Sequence, residues 1–363
     1  MQIIEALTEE LKVQKWQVEA AVGLIDEGNT IPFISRYRKE ATGSLNDEQL
    51  RKLHERLQYL RNLEEKKNQV LSSIEEQGKL TEELRKQIEK AQTLVVVEDL
   101  YRPYRPKRRT RATIAREKGL EGLAALILLQ RTENPLEEEA KAYLSAEKGV
   151  ETTEEALAGA RDILAEGISD EADFRIYIRK LTMKKGTIVS SAKKPEESSV
   201  YEMYYEFEEK ISRIAGYRVL ALNRGEKEKI LTVKIQAPEE EILRYLKSKV
   251  ISRENPFTGP VLEAVAEDSY HRLIAPAIER EIRSELTEKA EDGAISVFGK
   301  NLEQLLMQPP IVGQVVLGWD PAFRTGCKLA VVDATGKVLD TTVIYPTAPT
   351  TEKKIQAAKA KLK

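Results

Sequence analysis

The segment after Asn46 constrains the fold most strongly, because about 30 residues pass without a helix-breaking residue. Asn46-Asp47-Glu48-Gln49 has the form of a capping box, in which two side chains bond each other's backbone N–H groups. An apolar stripe then repeats at helical spacing: Leu50, Leu53, Leu57, Leu60, Leu63, Val70, Leu71 and Ile74. The pattern predicts a helix over about 47–77, roughly 45 Å long. Since a lone helix cannot bury its own stripe, we expect a spine on which other helices pack.

The rest of the chain also favours helices, so the protein is predicted to be mostly α. Charged residues make up 33% of the sequence and aromatic residues 6%, a composition typical of long solvated helices. Helix start and stop signals predict a helical N-terminal region over 1–185 and a central helical region with a small β insert over 186–310. Leu94–Val97 is interpreted as buried linker or helix end. Interruptions are expected in the last helical part at these positions: Asn255-Pro256, Gly259-Pro260, Pro276 and Gly293.

The segment 201–235 is predicted to form helix, turn, helix and strand. An aromatic cluster either stacks on nucleic acid or, as helical spacing favours, joins the core: Tyr201, Tyr204, Tyr205 and Phe207. Three arginines flank a turn at Gly216 as in a helix-turn-helix module: Arg213, Arg218 and Arg224. Neighbouring glutamates and lysines dilute that signal.

Residues 99–125, DLYRPYRPKRRTRATIAREKGLEGLAA, form a strongly basic segment that we call the strap. Pro103 and Pro106 fix φ and favour extended backbone in the residue before each, so no regular helix is expected before about Thr110. The strap should cross the surface with its cations projecting outward: Arg102, Arg105, Lys107, Arg108, Arg109, Arg111 and Arg116.

Two interpretations of the strap remain open. Its cations contact nucleic-acid phosphates, or they pair with surrounding acidic helices while the prolines stiffen a connector. Likewise Tyr101 and Tyr104 either tuck against helices or stack on an arginine or a base. Because 58 Lys and Arg nearly balance 60 Asp and Glu, any nucleic-acid contact must be local.

Few residues are suited to metal or redox chemistry. Cys327 is the only cysteine, which excludes a disulfide framework and a thiolate zinc site. The two histidines, His54 and His271, are interpreted as surface or capping residues, so no cofactor is expected. The N-terminus lacks a basic flank followed by an apolar core, and no long uncharged apolar run follows, so a cytoplasmic protein is expected.

The last region, 311–363, is predicted to be an incomplete RNase H-like α/β domain. Three short apolar runs, Val312–Asp320, Cys327–Asp333 and Val338–Ile344, precede a helix starting near Thr350. Asp320 closes the first strand, and the resemblance to RNase H-like nucleases, in which the aspartate at this position helps to bind divalent metal, implies a metal-ligand position. The alternative is a turn residue that caps the following loop. One carboxylate cannot hold two metals, so Asp320 is treated as a degenerate metal-ligand position. The outer edge of the first strand is expected to be unpaired.

Three long motifs follow one another along the chain: IPFISRYRKEATGSLNDEQL at 31–50, LYRPYRPKRRTRATIAREKGLEGLA in the strap and GWDPAFRTGCKLAVVDATGKVLDTTVIYPT at 318–347. Together they resemble the Tex family of bacterial transcription accessory proteins, in which they occur in the same order. Tex proteins are roughly twice this length, so the chain corresponds to an N-terminal half. The resemblance implies a helical N-terminal domain with a helix-turn-helix appearance, then a resolvase-like domain without a complete catalytic set.

The same resemblance implies that the main nucleic-acid binder, a C-terminal S1 domain, is missing, so weak binding is expected. In the first motif, Arg36, Arg38 and Lys39 either read DNA or, as favoured, pair with Glu40 and its neighbours. In the third motif, Arg324 is a further candidate for phosphate contact.

Three functions follow from the sequence. The first is a non-catalytic, nucleic-acid-associated scaffold whose partners include DNA or RNA and RNA polymerase or its associated factors. The second is a metal-dependent RNase H-like or resolvase-like nuclease with Asp320 as a ligand. The third is a protein-interaction platform along the helix at 47–77.

Overall fold

A computed structural model describes residues 3–309, 311–322, 325–347 and 349–362. Arg324, a candidate for phosphate contact, lies outside the described residues. The chain divides into two compact units, 1–291 and 292–363. Most described residues are helical, as predicted.

The predicted spine is present as α4, Asp47–Glu76. Asn46 forms the predicted capping box: its side-chain oxygen accepts from the Gln49 N–H at 2.8 Å, and the Gln49 side chain accepts from the Asn46 N–H at 3.0 Å. Three helices cover its first half: α1 Ile3–Leu11, α2 Lys15–Asp26 and α3 Ile31–Tyr37. Their buried side chains share one core with α4: Leu7, Val18, Ile34, Leu50, Leu53 and Leu57.

The second half of α4 belongs to another core, shared with α5 Glu82–Lys90 and α6 Leu94–Tyr101. The interpretation of Leu94–Val97 as a linker is wrong, because it forms the first turn of α6. The Thr93 hydroxyl accepts from the Val96 N–H, and this cap starts a helix despite three β-branched valines. The apolar stripe of α4 is thus covered by the chain's own helices.

A larger core assembles around α10, Thr153–Asp170. The helices next to it in sequence are α7 Arg111–Glu117, α8 Glu121–Leu129, α9 Leu136–Lys141 and α11 Ala172–Lys185. A buried run along α10, from Ala156 to Ile168, packs against α7, α8, α9 and a later helix, α14 Gly259–Asp268. This core continues past residue 185 as far as Ala290.

A three-stranded antiparallel sheet follows, formed by β1 Thr187–Ala192, β2 Glu206–Lys210 and β3 Leu231–Gln236 in the order β2-β1-β3. The prediction of a helix before the turn at Gly216 is wrong: residues 202–204 make one 3₁₀ turn and β2 follows. Side-chain burial alternates along β2, which is strand periodicity. A strand therefore replaces the first helix of the expected helix-turn-helix, although α12 Gly216–Lys227 is present.

The aromatic cluster in this sheet belongs to the core, as favoured. Tyr201 and Tyr204 are buried against Leu222 and Leu231, and Tyr205 and Phe207 pack on that core. Arg218, from the proposed helix-turn-helix, pairs with Glu209 of β2 at 2.6 Å.

The helices that follow β3 are α13 Glu239–Val250, α14 Gly259–Asp268 and α15 Ala275–Leu306. A π-helical segment, Ser269–Ile274, joins the last two. The interruption predicted near Gly293 is wrong, since α15 runs through it. Near Pro276 the α-helix is interrupted by the π-helical segment, which ends at Ile274 and changes the hydrogen-bond pattern just before the residue that has no N–H.

The second unit contains β4 Val316–Asp320, β5 Cys327–Val332, β6 Val338–Ile344 and α16 Glu352–Leu362. The strands form an antiparallel sheet in the order β4-β5-β6. The predicted hairpin turn at 333–336 joins β5 to β6. Within the described ranges β4 pairs only with β5, so the predicted unpaired edge is present. None of the described helices is long and apolar enough to cross a membrane.

Candidate nucleic-acid interface

The strap leaves α6 at Tyr101, and its tyrosines fix it to α4. The hydroxyls of Tyr101 and Ser73 are 2.9 Å apart, and Gln77 Nε2 donates to the Tyr104 carbonyl oxygen at 3.0 Å. Both tyrosine rings pack on the core between α4 and α6. Tyr101 and Tyr104 therefore tuck against the neighbouring helices, which is one of the two roles expected from the sequence.

The inner side of the strap faces two carboxylates on α10. Arg116 Nη1 donates to Glu166 Oε1 at 2.8 Å, and Lys107 Nζ lies 3.5 Å from the same oxygen. Lys107 also donates a short hydrogen bond to Asp170. Arg102 Nε is 3.3 Å from Asp170 Oδ1 but without hydrogen-bond geometry. Three of the seven predicted cations therefore bind α10.

The pKa values of the two carboxylates are shifted in opposite directions. Burial raises the pKa of Asp170 despite its contact with Lys107. Burial also acts to raise the pKa of Glu166, but hydrogen bonds from Arg116 and Thr110 outweigh it, so that pKa is lowered. Glu166 is thus the stronger counter-ion for the strap.

A quartet of charges, of which Asp99 and Arg175 are buried, holds the helix from which the strap emerges. Arg175 donates from Nε to Asp99 at 2.8 Å and from Nη2 to Glu281 at 2.7 Å. Arg179 contacts the same two carboxylates, at 2.8 Å to Asp99 and 2.6 Å to Glu281. Arg175 is 0% exposed. The quartet joins α6, α11 and α15, and sequence reasoning missed it because the partners in each ion pair lie 76 to 106 residues apart.

The outer side of the strap carries the other four cations. Arg109 Nη2 donates to Glu117 at 3.0 Å, and Arg105 lies 3.7 Å from Glu98, so both form exposed surface pairs. Arg108 and Arg111 are also exposed, and neither makes an ion pair or hydrogen bond with any described residue. The cations on this side of the strap therefore project outward, as expected from the sequence.

Arg111 begins α7, where a positive charge opposes the positive end of the helix dipole. Such a placement is unfavourable by about 0.3–1 kcal/mol without a counter-ion. A groove of about 750 Å³ lies between the strap and α10, and both Arg108 and Arg111 line it. Acidic residues, among them Glu166 and Asp170, line the same groove.

Asp320 is the last residue of β4, and its Cα partner across the strand pair is Lys328. It is exposed. Within residues 3–309, 311–322, 325–347 and 349–362, no group of three or more His, Cys, Asp or Glu is placed to hold a metal ion.

Three family models match the chain along its length. They are the Tex-like protein N-terminal domain over residues 1–75, the Tex central region-like model over 130–298 and the Tex protein YqgF-like domain over 314–363.

The chain is also similar to several curated proteins. It is 51% identical over 360 residues to the uncharacterized protein YdcI of Bacillus subtilis, covering 98% of this chain and 50% of that protein. It is 40% identical over 352 residues to the transcriptional accessory protein Tex of Neisseria gonorrhoeae, covering 95% and 46%. It is 33% identical over 359 residues to the human S1 RNA-binding domain-containing protein 1, covering 94% and 36%. The chain spans half the length or less of these relatives. It belongs to the Tex-like protein family.

Proposed function

We propose that the chain is a non-catalytic, nucleic-acid-associated scaffold of a transcription accessory factor. It binds DNA or RNA weakly through the outer side of the strap and contacts RNA polymerase or its associated factors. The names of two relatives support both parts: one is a transcriptional accessory protein, and the other is named for an RNA-binding domain.

The observation that carries the nucleic-acid contact is the division of the strap into two sides. Lys107 and Arg116 are neutralised by α10, whereas Arg108 and Arg111 remain exposed without a counter-ion among the described residues. A phosphate contact stabilises such cations and releases counter-ions from the nucleic acid. Two free cations and two surface pairs make a small footprint, so the expected affinity is low and falls steeply with salt.

The test is fluorescence anisotropy of labelled single- and double-stranded DNA and RNA across a salt series. The variant is Arg108→Ala/Arg111→Ala. We expect the slope of log affinity against log salt to fall by about one to two, since each lost phosphate contact removes close to one unit. The matched control is Arg131→Ala/Arg253→Ala, which removes two other exposed arginines without side-chain ion pairs among the described residues.

The proposal is wrong if wild-type protein binds no nucleic acid at low salt. If binding occurs but the strap variant and the control lose the same affinity and slope, the strap is structural. In that case the phosphate contacts lie elsewhere on the chain.

The scaffold role includes the proposal that Asp320 performs no catalysis. Support comes from its place at the exposed end of an edge strand opposite Lys328, where it is a single carboxylate. A two-metal site needs clustered carboxylates. The test incubates the protein with Mg²⁺ and a four-way junction or an RNA–DNA hybrid. Mg²⁺-dependent cleavage that Asp320→Asn abolishes would replace this proposal with the nuclease hypothesis.

A further inference from the structure

The end of α3 carries a second basic segment whose cations have no acidic partners among the described residues. Arg36, Arg38 and Lys39 are exposed, and none forms an ion pair with any described residue. Glu40, the partner favoured from the sequence, forms no ion pair within the described chain either. The only side-chain hydrogen bond from these three cations is a long one, 3.4 Å, from Arg38 to the Tyr37 carbonyl oxygen.

Aromatic side chains lie among these cations. The Tyr37 side chain is 66% exposed, so its ring is available to a ligand. Its ring centroid lies 5.4 Å from that of Phe33, and the Arg38 guanidinium lies 5.3 Å from the Phe33 centroid. The Tyr37 ring therefore packs against Phe33.

A second exposed ring is fixed beside the same segment by α2. Trp16 is 52% exposed and lies against Gly43, where an added Cβ would come within 2.5 Å of the indole Cη2 atom. Gln17 Nε2 donates to the carbonyl oxygens of Thr42 and Gly43, at 3.2 and 3.1 Å. These contacts hold Trp16 next to the loop that follows α3. We call Trp16, Arg36, Tyr37, Arg38 and Lys39 the aromatic–basic patch.

We propose that the aromatic–basic patch binds single-stranded nucleic acid, with bases stacking on Tyr37 and Trp16 and phosphates meeting the three cations. Bases in a duplex already stack on each other and offer no free face, so exposed rings select unpaired strands. The charge is complementary to a polyanion and is not offset by any ion pair in the described chain. The inference rests on the proposed function and deepens it, because it adds a second contact and names the strand state.

The tryptophan content allows a direct measurement of stacking. The chain has two tryptophans, so Trp319→Phe leaves Trp16 as the only one. We expect oligothymidylate to quench and shift Trp16 emission as bases stack on the indole. An abasic oligonucleotide of the same length keeps the phosphates but has no bases to stack, and we expect it to bind without quenching.

Affinity is then compared between Tyr37→Ala and Tyr217→Ala in the same background. The two tyrosines are matched in exposure, at 66% and 65%. We expect Tyr37→Ala to weaken oligothymidylate binding roughly tenfold, the usual size of one lost base–ring contact, and Tyr217→Ala to have no effect. Arg36→Ala/Arg38→Ala should lower the salt slope by about 1.4.

The outcomes separate the patch from the strap. If Trp16 is not quenched and Tyr37→Ala binds as Tyr217→Ala does, the patch inference is wrong. The strap proposal then stands or falls on its own variant. Equal binding of duplex and single strand with unchanged Trp16 emission would also overturn the stacking, and would leave the patch as a surface for a protein partner.

Discussion

The strap and the aromatic–basic patch are both arginine-rich, but the fold treats their charges differently. On the strap, Lys107 and Arg116 are matched with Glu166 and Asp170, which lie 50 to 63 residues away in sequence. On the patch, Glu40 is adjacent in sequence and forms no ion pair with any described residue. The comparison teaches that acidic neighbours in the sequence do not indicate which cations are neutralised. On the strap, the packing of α10 determines which cations are neutralised.

The largest effect is expected where the strap is anchored. Asp99→Ala removes a carboxylate that faces Arg175 and Arg179, leaving two guanidinium groups with one partner, Glu281. A buried charge without its partner is strongly unfavourable, so we expect the free energy of unfolding to fall by about 3–5 kcal/mol. Urea denaturation followed by circular dichroism measures it. A loss below about 1 kcal/mol would show that water compensates the quartet.

The next largest effect is expected from a substitution that leaves strap cations without a carboxylate partner, as the cations of the aromatic–basic patch already are. Glu166→Gln removes the negative charge shared by Lys107 and Arg116. We expect a loss of about 1–3 kcal/mol in unfolding free energy from the weakened hydrogen bonds. We also expect a steeper salt dependence of single-strand binding, by about 0.7 for each cation released. An unchanged salt slope would contradict the idea that α10 keeps these cations from phosphate.

The two strap carboxylates should also differ in how stability depends on pH. The pKa of Glu166 is lowered from its usual 4.5, so its contribution is present above pH 4.5 and is lost as the pH falls through the folded-state value. The pKa of Asp170 is raised from its usual 3.8, so its contribution is present below pH 3.8 and is lost as the pH rises through the folded-state value.

Unfolding free energies measured between about pH 3 and pH 7 test this difference. The stability of wild type minus that of Glu166→Gln should rise with pH, whereas wild type minus Asp170→Asn should fall. Two slopes of the same sign would mean that Lys107 outweighs the burial of Asp170.

The smallest effect on stability is expected at the outer side of the strap. Arg109 and Glu117 form a pair whose side chains are 70% and 53% exposed. Such a pair is screened by water and salt, so Arg109→Ala should change the unfolding free energy by less than about 0.5 kcal/mol. A loss of nucleic-acid affinity without a loss of stability would assign Arg109 to the phosphate-contacting side. A loss of stability alone would assign it to the structure.

Local sequence signals correctly predicted the helices and turns that are determined by residues close together in the sequence. The capping box at Asn46 and the leucine stripe predicted α4, and the turn at 333–336 predicted the β5–β6 hairpin. Where long-range pairing decides, the prediction was wrong. The helical spacing of the aromatic residues predicts a helix through 206–210, but pairing with β1 selects the strand.

The same reasoning applies to the candidate site. The strap was recognisable as a basic segment, and its prolines predicted the irregular backbone between α6 and α7. Its division into two sides could not be predicted, because the positions of Glu166 and Asp170 depend on tertiary packing. The quartet of Asp99, Arg175, Arg179 and Glu281 has no local signature, since each member alone looks like a surface charge on a helix.

The sharing of α4 between two cores has a consequence for local unfolding. Leu57 and Leu60 belong to the core with α1–α3, Leu63 and Val70 to the core with α5 and α6, and Tyr59 packs on both. If one core opened alone, it would leave half of α4, about 15 residues, without tertiary support, a length at which isolated helices are marginal. Fraying would then spread through the junction at Tyr59 into the other core. The two cores should therefore exchange their amide hydrogens as one cooperative unit.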